Sequence, residues 1–148
     1  MEFIAQGHDS CCFVYAVANF QIYCGRPLPD LERAKDIACC RTGATIYCAR
    51  VVEYFGAALK PTTIPGEVLS RGGILQILHP IVNGHSLFIY PENDHVVMVN
   101  SWLGPLVQPT SGDRLLAMTR DNLGAHWVRD EYYEHPRLPA GVPQGIQA

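Results

Sequence analysis

A chain of 148 residues with 48% apolar and 17% charged side chains is long enough for one domain with its own core, and too apolar to stay disordered. A formal charge of -3, with no run of Lys or Arg, gives no footprint for nucleic acid, and no stretch is long enough to span a bilayer. The opening residues Met1-Glu2-Phe3-Ile4-Ala5 have no basic region and only a short apolar stretch, so they do not read as a signal peptide.

In chain order, the polar loop Gln6-Gly7-His8-Asp9-Ser10 leads into Cys11-Cys12-Phe13-Val14-Tyr15-Ala16-Val17-Ala18-Asn19-Phe20, an apolar run that predicts a buried helix. Ser10 or Asp9 is the expected cap, and Gly25 stops the helix after Tyr23. Cys12 then falls in the first turn, where unpaired N–H groups and the positive end of the helix dipole favour a thiolate. Gln6 precedes Cys12 by six positions, so its amide can reach back over the thiol. A side-chain amide plus the backbone N–H of the nucleophile makes a workable oxyanion hole. Cys11 competes for the role of nucleophile, and only the spacing from Gln6 separates the two.

Residues 29–38 predict a second helix, with Asp30 as N-cap and Leu31, Ala34, Ile37 and Ala38 at helical spacing. After the break Arg41-Thr42-Gly43, residues 44–55 predict a third, with Ile46, Ala49, Val52 and Phe55 on one face and Gly56 closing it. The pattern then changes. Residues 59–64 suit a short edge strand interrupted by Pro61, and 67–70 a loop or a brief helical turn between Pro65-Gly66 and Gly72-Gly73. Strands are expected at 74–78, 85–90, 95–102 and 114–119, the last after a turn at Thr110-Ser111-Gly112-Asp113. A C-terminal helix is expected around His126, Trp127, Tyr132, Tyr133 and His135. The Pro- and Gly-rich tail 136–148 reads as a loose end, packed on the surface or disordered. Helices first and strands afterwards give a single α+β domain over 1–135, its N-terminal helices packed on a C-terminal antiparallel sheet.

The six cysteines, Cys11, Cys12, Cys24, Cys39, Cys40 and Cys48, all lie in the first third of the chain. Two vicinal pairs give none of the two-residue gaps typical of zinc ligands, and the others sit in apolar helical patterns as small hydrophobes do. Reduced thiols, a cytoplasmic location and no metal are the expectation.

The sharpest geometric inference concerns the hairpin around Pro91-Glu92-Asn93-Asp94, a loop rich in turn formers. If that loop joins its strands directly, Tyr90 pairs with His95 and His85 stands opposite Asn100. Directly opposed residues share a face with Cβ atoms roughly 4.5–5.5 Å apart. An imidazole serving as base to a thiol needs such a neighbour to fix its tautomer and ring angle. Leu87, Ile89, Val96 and Met98 would share that face, and His95 would lie on the other.

Taken singly, each of these residues has a bland reading. Cys12 is a packing thiol, Gln6 a surface amide, His85 a strand end, Asn100 a turn residue and Trp102 core. Their joint order and spacing sets them apart. His95, with Asp121 or Asn122 as orienter, is the fallback base. His8 reads as a solvated loop residue, His79 before Pro80 as structural, and His126 and His135 as surface or packing residues.

Gln6 followed by Cys12 at the mouth of an apolar, Ala-rich helix resembles the papain-like cysteine peptidases, most closely the branch that processes double-glycine leader peptides of bacteriocins. Phe13 follows Cys12 where that branch usually carries Gly. Gly84-His85 opening a strand and Val97-Met98-Val99-Asn100-Ser101-Trp102 look like the broader papain arrangement of catalytic His, orienting Asn and a shielding Ser-Trp. The likeness covers residues 4–104. It implies a papain-like fold with Cys12 as nucleophile, His85 as base, Asn100 as its orienter, Gln6 as oxyanion donor and Trp102 screening the His85–Asn100 bond from water. The implied activity is peptide-bond hydrolysis after small residues such as Gly, with a peptide or protein as substrate and no cofactor.

The same site would serve as an acyltransferase if an amine replaced water. A papain-like module that binds a peptide or carrier protein without chemistry is the competing expectation, and a zinc-stabilised structural protein the third.

Overall fold

The computed structural model describes residues 2–6, 11–38, 47–77, 85–100, 105–120 and 126–131. Among them are five α-helices and one six-stranded antiparallel sheet, an α+β architecture. Helix α1 (Cys12–Tyr23) is buried along nearly its whole length, as its uniformly apolar sequence requires. Its N-cap position is Cys11, which makes no side-chain capping bond, and the expected caps Ser10 and Asp9 lie outside the described residues. Its far end closes as expected. Gly25 takes φ 73°, and the N–H groups of Gly25 and Arg26 bond back to the carbonyls of Ile22 and Gln21.

Helix α2 (Leu31–Ala38) starts at the predicted cap, with Asp30 Oδ1 accepting the Glu32 N–H at 3.0 Å. It packs on α1 through Ala34, and Lys35 Nζ stands 5.0 Å from the centre of the Tyr15 ring. Helix α3 (Ala49–Phe55) is shorter than expected because Cys48 is extended and forms the N-cap. Val51, Val52 and Phe55 are its buried residues, whereas Ala49 is exposed, contrary to its assigned place on the inner face. Gly56, at φ 68°, ends it.

The sheet runs β1-β6-β2-β3-β4-β5 across the molecule. Strand β1 (Leu59–Thr62) is the edge strand foreseen from Pro61, and helix α4 (Pro65–Arg71) follows with Pro65 at its start. Strands β2 (Gly73–Ile77), β3 (His85–Glu92) and β4 (His95–Val99) form the centre. The other edge, β5 (Val107–Thr110), had no counterpart in the sequence reading. Two elements reverse their expected type. Residues 112–120 form helix α5 (Gly112–Arg120) instead of a strand, because Ser111 Oγ accepts the Arg114 N–H and its carbonyl the Leu115 N–H. His126 and Trp127 belong to strand β6 (His126–Asp130), not to a helix, and β6 inserts between β1 and β2.

Helices cover both faces of the sheet. On one face Ile74, Phe88, Tyr90, Val97, Val99 and Val128 pack against the layer built on α1. On the other, Leu75, Ile89, Val96 and Trp127 meet Val68 of α4 and Leu115 of α5. Among the described residues no helix is long and apolar enough to cross a membrane.

Candidate active site

The contacts of α1 fix its direction on the sheet. The Phe20 ring lies 6.0 Å from Phe88, and Tyr23 lies 5.6 Å from Phe88 and 4.7 Å from Tyr90. Helix and strand therefore run the same way. Tracing α1 back from Phe20 to Cys12 covers about 12 Å, and tracing β3 back from Phe88 to His85 covers about 10 Å. Cys12 and His85 both open their elements at one end of the molecule.

His85 and Asn100 meet. His85 Nε2 lies 2.8 Å from Asn100 Oδ1, so the ring donates Nε2–H to the carboxamide oxygen. They are joined by a register other than the expected one. Glu92 pairs with His95 around a two-residue turn, Asn93-Asp94, and Asn93 adopts φ 55°. Phe88 then pairs with Val99, which puts Asn100 beside Leu87 and diagonal to His85. A slip of two residues keeps every side chain on its face, so the pair survives the error. The backbone of Asn100 is held too, its N–H donating to Leu106 O at 2.9 Å. Burial pushes the His85 pKa below the ordinary imidazole value, outweighing the opposing pull of the Asn100 hydrogen bond.

The N-terminal segment is tied along α1. Asn19, fully buried, accepts the Ile4 N–H at 2.8 Å and donates to Ile4 O at 3.1 Å. Phe3 packs on Phe88 and Tyr90. Gln6 follows two positions on, and it is buried, not the surface amide of the bland reading.

Cys12 is 3% exposed and keeps its thiol, as do Cys24 and Cys48. Cys11 is disulfide-bonded, its partner lying outside the described residues. That corrects the expectation of six reduced thiols and removes Cys11 as a rival nucleophile in this state. His95 is removed as fallback base by distance. It faces Glu92 at the hairpin tip, about 23 Å along β3 from His85. Its expected orienters Asp121 and Asn122 lie outside the described residues, as do His8, His79, His135, Trp102 and the tail.

Two buried polar residues beside the site escaped the sequence reading. Gln76 Nε2 donates to Ser86 Oγ at 3.1 Å, and both are almost fully buried. The signal was present: each interrupts an otherwise apolar strand next to the position carrying His85 or its cross-strand neighbour Ile77. A cavity of about 660 Å³ opens here, lined among others by Tyr47, Lys60, Gln76, His126 and Trp127. Among the described residues no three His, Cys, Asp or Glu side chains converge as a metal site would need. No protein-family model, curated protein or solved structure matches this chain.

Proposed function

We propose that this protein is a papain-like cysteine peptidase that hydrolyses a peptide bond, after a small residue such as Gly, through Cys12, His85 and Asn100. The observation that carries this reading is the 2.8 Å His85–Asn100 bond at the same end of the sheet as the start of α1. With Nε2 committed to Asn100, Nδ1 is the nitrogen left to exchange a proton with a thiol. The lowered pKa keeps the ring neutral near pH 7, the form a general base needs.

In this mechanism His85 takes the Cys12 proton and the dipole of α1 favours the thiolate. The sulfur attacks the peptide carbonyl, whose oxygen becomes an oxyanion held by the Cys12 N–H and the Gln6 amide. The imidazolium protonates the departing amine, leaving an acyl-enzyme. Water, deprotonated by His85, releases the acid. An amine in place of water would make the same site a transferase.

Two features favour a second reading, a peptide-binding module without turnover. Cys12 is 3% exposed, and His85 shares strand parity with Leu87 and Ile89, which point away from the α1 layer. Labelling with a peptidyl thiol electrophile, located by mass spectrometry, separates the two. For the enzyme, Cys12 is labelled rapidly at pH 7, Cys12→Ala is not labelled, and His85→Ala slows the reaction at least about tenfold. Equal rates in wild type and His85→Ala would remove His85 from the base role.

A further inference from the structure

We propose that the cavity along β1 and β6 is a substrate subsite that reads a carboxylate on the peptide, three to six residues from the scissile bond. This rests on the peptidase reading for the position of that bond, but not for the binding itself.

The cavity reaches the site through two links. Tyr47, in its lining, packs edge-on against Phe13, the residue after Cys12, with ring centres 5.8 Å apart. Gln76, also in the lining, bonds Ser86, the residue after His85. From there the lining crosses β6 and reaches β1.

Its chemistry is amphipathic. Val128 and Pro61 are apolar lining on one face of the sheet and Trp127 on the other, and the cations are Lys60 and Arg129. Glu67 is the single carboxylate in the lining, and it is already engaged by Arg129 Nε at 3.7 Å and by the Thr62 hydroxyl. Among the described residues Lys60 has no carboxylate at ion-pair distance. The cavity lining therefore carries a cation in excess, and a carboxylate complements it.

The sheet sets the spacing. His126 lies two strands from His85, about 10 Å, and Lys60 lies three strands across and four residues along, about 20 Å. An extended peptide rises about 3.3 Å per residue, so these distances correspond to about three and about six residues.

The experiment uses the full chain carrying Cys12→Ala, so that binding is read without turnover. The probes are fluorescein-labelled peptides of about ten residues with a central Gly-Gly and one Glu walked two to six positions to either side. Matched Gln peptides are the controls. A final pair, with a free or amidated C-terminus at the same distance, distinguishes a terminal carboxylate from an acidic side chain. Fluorescence anisotropy is expected to show Glu or the free terminus binding about three- to fivefold tighter at three to six positions, with the preference shrinking in salt. Adding Lys60→Glu, an exposed change that leaves the core intact, should abolish or invert the preference. Equal binding of Glu and Gln peptides at every position, or a preference that survives Lys60→Glu, would overturn the subsite. Loss of Cys12 labelling in the wild type would instead overturn the peptidase reading and leave this measurement standing.

Discussion

Opposing effects act on His85. Burial disfavours its charged form, while the carboxamide of Asn100 favours it, and burial has the larger effect. The folded pKa therefore lies below the unfolded value of about 6.5. Below that value the unfolded chain binds more protons at this position than the native one, so stability rises with pH across the window. The contribution of His85 is whole above about pH 7 and is lost as pH falls from about 6.5 through the folded pKa. Replacement by Gln keeps a donor for Asn100 and removes the titration. Urea unfolding of wild type and His85→Gln at half-unit steps from pH 5 to 8 should show a constant gap above pH 7. Below it, the wild type should lose stability relative to the variant. Parallel curves throughout would mean the imidazole is solvated, not buried.

Elements with local signals were the readable ones. α1 and α2 announce themselves by an apolar run and by Asp30, and the His85–Asn100 pairing followed from strand alternation. What failed depended on distant partners. β6 lies between two strands and is covered on both faces, so Trp127 and Val128 are both buried and alternation vanishes. In α5, Leu115 alone is buried while Leu116 and Met118 are exposed, so an apolar stretch looked like a strand. The disulfide at Cys11, at the start of α1, was revealed by no spacing in the sequence. The attachment of the N-terminal segment was equally hidden, because Asn19 looks like an ordinary helix residue. Asn19→Ala removes both bonds to Ile4 and leaves a half-buried N–H and carbonyl without their partner, at a cost of about 1–2 kcal/mol. Urea unfolding measures that loss. Amide exchange followed by mass spectrometry should speed up across residues 2–6, and unchanged exchange there would show that Phe3 packing alone holds the segment.

At the scale of the whole molecule, the site depends on parallel placement of a helix and a strand. The ring contacts of Phe20 and Tyr23 set that placement from the far end of α1, leaving the near end to be held by other means. Among the described residues the near end has no side-chain cap, and the residue at the cap position is the disulfide-bonded Cys11. A covalent tether thus sits directly beside Cys12. A native disulfide stabilises a small domain by about 2–4 kcal/mol, mostly by restricting the unfolded chain. Dithiothreitol should therefore lower the urea midpoint by a matching amount and expose two further thiols to titration in denaturant. Cys11→Ser should start from the lowered midpoint and show little further loss on reduction. A wild-type midpoint that ignores the reductant would mean that the bridge does not anchor the helix start, and that the packing of Phe13 on Tyr47 carries that task instead.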